Sequence, residues 1–180
     1  MFVPLCGKSL DMLWLRDQGH SVLGVELSAI ALQVFCMENG IPARRRLLNG
    51  FEVYEAANLE LLCGDFFALT PATLQEVAAV YDRAALISWS PELREPYVRH
   101  LAGMLQPGTQ MLLHALEYPQ AQMAGPPFSL EHGEIERLYA PYCNIRELDR
   151  QDILATEPRL RARGVTELCE ICYLMVKTHV

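Results

Sequence analysis

Gly7 and Glu26 are the residues of this chain whose types and spacing best suit ligand chemistry. An apolar run, Phe2 to Leu5, leads into Pro4-Leu5-Cys6-Gly7-Lys8-Ser9-Leu10-Asp11, and an acidic residue follows Gly7 by 19 positions at the end of a second apolar run. A glycine after a strand permits a tight turn and close approach of the backbone to a ligand, and Ser9 can cap a helix whose free N–H groups face a carboxylate or phosphate. An acid at the carboxyl end of the next strand can accept hydrogen bonds from both hydroxyls of a ribose. Dinucleotide folds place one about 20 residues after their glycine loop for this reason.

Two phosphate-loop chemistries are excluded. A P-loop ending in Gly7-Lys8-Ser9 requires a glycine where this chain has Phe2, and a dinucleotide loop requires three spaced glycines where only Gly7 is present. An incidental Glu26 beside an ordinary strand turn remains an open alternative on the pattern alone.

Other groups fall at similar places. Leu59 to Cys63 reads as a strand ending in Gly64-Asp65-Phe66-Phe67. There an acid and two aromatics suit an adenine amine and ring face, or Asp65 caps the next turn and the phenylalanines enter the core. Val77 to Tyr81 reads as a strand closed by Asp82-Arg83. No Gly-x-Ser-x-Gly elbow and no His-Glu-x-x-His helix is present. His114 lies within an apolar strand as a hydrogen-bonded core residue, and the other histidines read as surface positions. No catalytic residue is assigned, which suits a reaction that runs on positioning, such as methyl transfer from a sulfonium to a thiolate.

The elements that must position these groups alternate strand and helix. The first helix is expected to bury Leu10, Leu13 and Trp14 and to stop near Gly19, before a strand from Ser21 to Val25. Ser28 caps a second helix with Ile30, Ala31, Val34 and Phe35 on one face, ended by Asn39-Gly40. Arg44-Arg45-Arg46 reads as a solvated basic turn. A helix from Pro91 to Leu105 precedes a strand from Met111 to Leu116. A helix opened by Ser129, a short strand near Asn144 to Leu148 and a closing strand from Val165 complete seven strands. Interleaved strands and helices predict an α/β fold, a mostly parallel sheet with helices on both faces and a ligand beyond the carboxyl ends of the strands.

Composition narrows the partners. With 180 residues and 51% hydrophobic content, the chain is expected to form a single domain with a substantial core. A net charge of −7 opposes nucleic-acid binding, so a small molecule is the expected partner and a monomer the expected state. The absence of a long apolar run or signal-like amino end predicts neither membrane span nor export, hence a cytoplasmic site. Six cysteines are then expected as thiols, and the strand-borne pair Cys169 and Cys172 points to opposite faces and not to zinc.

Taken together, Pro4-Leu5-Cys6-Gly7-Lys8-Ser9-Leu10-Asp11, Gly24-Val25-Glu26-Leu27-Ser28, Leu62-Cys63-Gly64-Asp65-Phe66-Phe67, Tyr81-Asp82-Arg83-Ala84-Ala85-Leu86 and Ala124-Gly125-Pro126-Pro127-Phe128 resemble the bacterial thiopurine S-methyltransferases. The resemblance implies a seven-stranded Rossmann-like methyltransferase fold and S-adenosylmethionine as donor. It also implies aromatic or heterocyclic thiols as acceptors, with an association to selenium and tellurium oxyanions and so to metalloid detoxification. By position, Leu5 and Gly7 would border the methionine part of the donor, Glu26 would hold the ribose, and Asp65 with Phe66 would flank the adenine. Arg83 would line the donor and acceptor pocket, and Arg159 would match a second pocket arginine. Members of the family carry an amino-terminal segment with tryptophans that closes over the donor, whereas Met1 here begins almost on the first strand. The expectation is a chain truncated or lacking that lid. Ser88-Trp89-Ser90-Pro91 replaces smaller residues, so Trp89 is expected to reshape the acceptor pocket. Two alternatives are an exocyclic-amine methyltransferase, suggested by Pro126-Pro127-Phe128, and an inactive donor-binding remnant.

Overall fold

A computed structural model describes residues 1–179. The chain divides into two compact units, Met1–Tyr81 and Asp82–Val180. In the first, chain order is β1 (Phe2–Val3), α1 (Asp11–Asp17), β2 (Val22–Glu26), α2 (Ala29–Glu38), β3 (Arg44–Leu48), β4 (Phe51–Ala56), β5 (Leu59–Cys63) and β6 (Ala79–Asp82), whose last residue opens the second unit. Its strands lie in the order β3-β4-β5-β2-β1-β6. β5, β2, β1 and β6 are parallel, with Glu26 opposite Cys63 and Val3 opposite Gly24, so the segments after β1, β2 and β5 leave one edge together.

The two outer strands form an antiparallel hairpin. Asn49 (φ 50°) and Gly50 (φ 87°) make its two-residue turn, with Leu48 opposite Phe51. Both turn residues need positive φ, which Asn-Gly supplies at low steric cost. Arg44-Arg45-Arg46 therefore begins a strand and not a loop. Arg46 is paired with Glu55 and Glu60 at 2.9 and 2.7 Å, and Arg45 lies over the Tyr54 ring. With this hairpin the described residues form nine strands, two beyond the seven expected.

The second unit contains α3 (Ala85–Ser88), α4 (Pro91–Met104), β7 (Gln110–Glu117), α5 (His132–Tyr139), β8 (Cys143–Asp152), α6 (Pro158–Ala162) and β9 (Cys169–Lys177). β9 lies between β7 and β8 and is antiparallel to both. β9 starts at Cys169, four residues after the expected start, because Val165 is packed in a small cluster with Tyr118, Met123, Leu160 and Leu168. Cys169 and Cys172 both lie on β9, where an odd spacing turns them to opposite faces.

Helix faces needed two corrections. α1 buries Met12 and Leu15, while Leu10 and Trp14 are 64% and 62% exposed, because Met12 and Leu15 are the pair three apart that reaches the core of Val3, Val22, Phe35 and Leu61. α2 is capped by Ser28, whose Oγ accepts from Ala31 N at 3.2 Å, but buries Leu32, Phe35 and Cys36 and leaves Ile30 at the surface. Ser129 does not open α5. Its Oγ accepts from Tyr118 N at 3.0 Å, and the helix starts three residues later. No helix of the described residues is long and apolar enough to cross a membrane.

Candidate functional site

The Gly7–Glu26 pair is built by backbone geometry. Leu5 (φ 45°) and Gly7 (φ 52°) both adopt the left-handed region, unusual for leucine, and Cys6 N between them donates to Val25 O at 2.9 Å. Strain of this kind persists where the surroundings over-determine it and concentrates at ligand sites. Cys6 packs beneath the loop against β2: a Cβ on Gly24 would lie 2.8 Å from Cys6 Sγ and 2.9 Å from Leu61 Cδ2, so any larger residue there would have to displace these buried side chains. Burial, and secondarily Glu26, pushes the Cys6 thiol far above its ordinary range, so it is a packing group and not a nucleophile.

The Glu26 carboxylate is held from both sides. Oε2 accepts from Gly7 N at 3.1 Å and Oε1 from Ser28 N at 2.7 Å. A carboxylate offers about four lone-pair sites, so each oxygen keeps capacity for a further donor while its direction is fixed. Gly64 N donates to Glu26 O at 2.9 Å, which joins the end of β5 to the same place. Leu27, the next residue, is 74% exposed. A large apolar side chain displayed beside a fixed carboxylate suits a flat ring. Sequence reasoning missed it because it lies between strand and helix, where periodicity carries no information.

At the end of β5, Asp65 is exposed and its Oδ1 accepts from Phe67 N at 2.9 Å, capping the short 3-10 turn Phe66–Ala68. Phe66 is 5% exposed and Phe67 38%, with their rings edge to face at 5.3 Å. The Phe66 ring packs into the core, and Phe67 is the more exposed of the pair. Ser9 contributes by accepting from Asp11 N at 3.3 Å, and Tyr81 Oη donates to Asp11 Oδ2 at 3.4 Å.

The second unit holds the remaining candidates. Arg83 is an exposed residue in the bend between β6 and α3. Before it, Asp82 is 1% exposed, with Oδ1 accepting from Ala85 N and Leu86 N at 3.0 and 3.2 Å and Oδ2 from Tyr97 Oη at 2.7 Å. Burial pushes its carboxyl up to about 6, against the opposing effect of those three hydrogen bonds. Burial, reinforced by Asp82, also raises the Tyr97 hydroxyl well above its usual range.

Arg94, also 1% exposed, ties three segments together. It donates to Trp89 O at 3.2 Å, Ser129 O at 3.0 Å and Glu134 Oε2 at 2.6 Å, and its guanidinium lies 5.9 Å from the Phe128 ring centre. Phe128 N donates to Ile87 O at 2.7 Å, so the Pro126-Pro127-Phe128 loop is fastened to α3. Trp89 ends α3, with its ring 6.1 Å from that of Tyr97. Arg159 is exposed on α6, whereas Arg163 is the arginine that reaches this loop, donating to Pro126 O at 3.0 Å. His114, on β7, faces Glu170 at 3.6 Å and Cys172 Sγ at 4.0 Å on β9. Neither Asp82 nor Arg94 carries a sequence signal, because composition does not reveal that a charged residue will be buried.

A strained loop after the first strand, a backbone-held acid after the second and an acid-aromatic pair after the neighbouring parallel strand are the attributes of an S-adenosylmethionine-dependent methyltransferase. The comparisons agree. A crystal structure of an S-adenosylmethionine-dependent methyltransferase from Methanosarcina mazei matches with a TM-score of 0.70 at 14% identity, covering 99% of this chain and 92% of that one. The family model for thiopurine S-methyltransferase matches residues 1–178. The thiopurine S-methyltransferase of Nitrosospira multiformis is 47% identical over 176 residues, 98% of this chain and 80% of the relative. That of Nitrosomonas eutropha is 49% identical over 181 residues, 100% and 82%. The chain belongs to the thiopurine S-methyltransferase family, has the Rossmann-like methyltransferase fold and is an enzyme that uses S-adenosylmethionine.

Proposed function

We propose that this enzyme methylates the sulfur of aromatic or heterocyclic thiols, thiopurines among them, and that the two-sided backbone grip on Glu26 is the observation that carries the donor site. The remaining lone pairs of Glu26 accept the ribose hydroxyls. Leu5 and Gly7 border the methionine end, Asp65 accepts from the adenine amine, and Leu27 and Phe67 cover the ring. The residues present fit the donor, since fixed acceptors and exposed apolar side chains share one sheet edge. When bound, S-adenosylmethionine supplies an electrophilic methyl group on a sulfonium. The chain's own task is to align a thiolate with it and exclude water.

Arg83 orients the acceptor. A guanidinium stays protonated at ordinary pH, so it stabilises a thiolate by charge and fork geometry and carries no proton. Trp89 shapes the acceptor pocket, and Arg159 is the second arginine assigned to it. Selenium and tellurium oxyanions extend the acceptor range and give the enzyme a place in metalloid detoxification in the cytoplasm, as a monomer without nucleic-acid partners. The test is incubation with labelled donor and a thiophenol, a thiopurine or the matching aromatic amine. The expected product is the S-methyl thioether; N-methylation, or donor binding without any methylated product, would overturn the assignment.

A further inference from the structure

We propose that Asp82 is a positioning residue for methyl transfer, its buried carboxylate clamping the turn from which Arg83 reaches the acceptor. This rests on the assignment of Arg83 to the acceptor thiolate. One carboxylate oxygen spans Arg83 and Ala84 to take the amides of Ala85 and Leu86. That closes a ring around the two intervening residues, and Ala84 is held at φ −138° and ψ −13°. With its neighbours fixed, the Arg83 side chain leaves the backbone in one direction. The second oxygen is anchored by Tyr97 of α4, a helix that Arg94 fastens to the Ser129 carbonyl and to Glu134.

The clamp depends on charge. Hydrogen bonds to an ionised acceptor are roughly twice as strong as neutral ones. Protonation on Oδ2, with the Tyr97 hydroxyl turned to accept, leaves the two amide bonds in place but weakened. Tyr97 on α4 and Tyr139 on α5 feel the Asp82 charge, the Tyr139 hydroxyl being buried without a hydrogen-bond partner among the described residues, and Arg83 is the cation next to Asp82 in the chain. Burial, opposed by the Tyr97 hydroxyl and the Leu86 and Ala85 amides, sets the midpoint near 6. Asp82→Asn reproduces the neutral form: its amide oxygen still takes the two N–H groups while its nitrogen faces Tyr97.

The experiment measures kcat/KM against pH with an electron-poor aromatic thiol that is ionised throughout the range, so no limb comes from the acceptor. Wild type is expected to lose about tenfold on acidification, the difference between charged and neutral clamps, with a midpoint near 6. Asp82→Asn is expected to be flat at the wild-type acid level. Tyr97→Phe, which removes a donor to the carboxylate, moves the limb to higher pH. Amide chemical shifts of Ala85 and Leu86 should titrate with the same midpoints in wild type and Tyr97→Phe and stay constant in Asp82→Asn. A flat wild-type profile, an Asp82→Asn profile parallel to wild type, or amides that titrate while the rate does not would overturn the proposal. Donor binding with no thiol turnover would overturn the acceptor assignment, and this role with it. The amide titration separates that failure from a failure of the clamp.

Discussion

Glu26 and Asp82 end two strands, accept two backbone amides each, and differ in what surrounds them. Glu26 is half-buried and keeps lone pairs directed away from its own backbone partners, whereas Asp82 is 1% exposed and has a third donor in Tyr97. On the proposed assignments, the same chemical device serves two ends. Fixed and accessible, a carboxylate presents acceptors to a ligand. Enclosed, it spends its acceptor capacity on the fold and can act on a ligand only through the neighbour it holds.

The strongest way to stress that contrast is at the buried polar groups. Arg94→Ala leaves Glu134, Trp89 O and Ser129 O without their shared donor and is expected to cost about 3–5 kcal/mol, as for a buried pair stripped of one member. Denaturant unfolding checks it. Arg46→Ala at the partly exposed outer hairpin, by comparison, should cost much less despite its two carboxylate partners.

Asp82 makes the next largest difference, through pH. Its carboxyl is raised from 3.8 to about 6 in the folded state, so the native protein binds the proton more readily than the unfolded chain. Its contribution is present in full below the unfolded pKa, and stability falls as pH rises through about 4 to 6, by up to about 3 kcal/mol. Asp82→Asn should remove that slope in unfolding midpoints measured between those pH values. A slope of unchanged size would assign it to other groups.

The smallest effects distinguish two arginines of the second unit. Arg163→Ala loses its bond to Pro126 O and should cost about 1 kcal/mol, whereas the exposed Arg159→Ala should stay within about 0.5 kcal/mol. If acceptor KM rises with Arg163→Ala and not with Arg159→Ala, the second pocket arginine is Arg163.

Much of the Gly7–Glu26–Ser28 arrangement was legible in the sequence because it depends on local rules. A glycine after a strand, an acid at the next strand end and a serine cap are contiguous signals, and they located Gly7, Glu26 and Ser28. The Asn49-Gly50 hairpin signal was present too, yet the arginine run before it drew the reading towards a loop. Helix faces were harder. Met12 and Leu15 are buried while Leu10 and Trp14 are not, a choice made by where α1 lies on the sheet and not by its own periodicity. Arg94 and Asp82 were illegible as structural anchors, since the partners that make their burial tolerable lie up to 40 and 15 residues away.

Titration of S-adenosylmethionine into Glu26→Gln and Asp82→Asn tests the division of labour between the two carboxylates most directly. The expected result is donor affinity weakened about tenfold or more in Glu26→Gln, the scale of lost charge-assisted hydrogen bonds, and unchanged in Asp82→Asn. Unchanged affinity in Glu26→Gln, or a loss in Asp82→Asn of the same size, would contradict it.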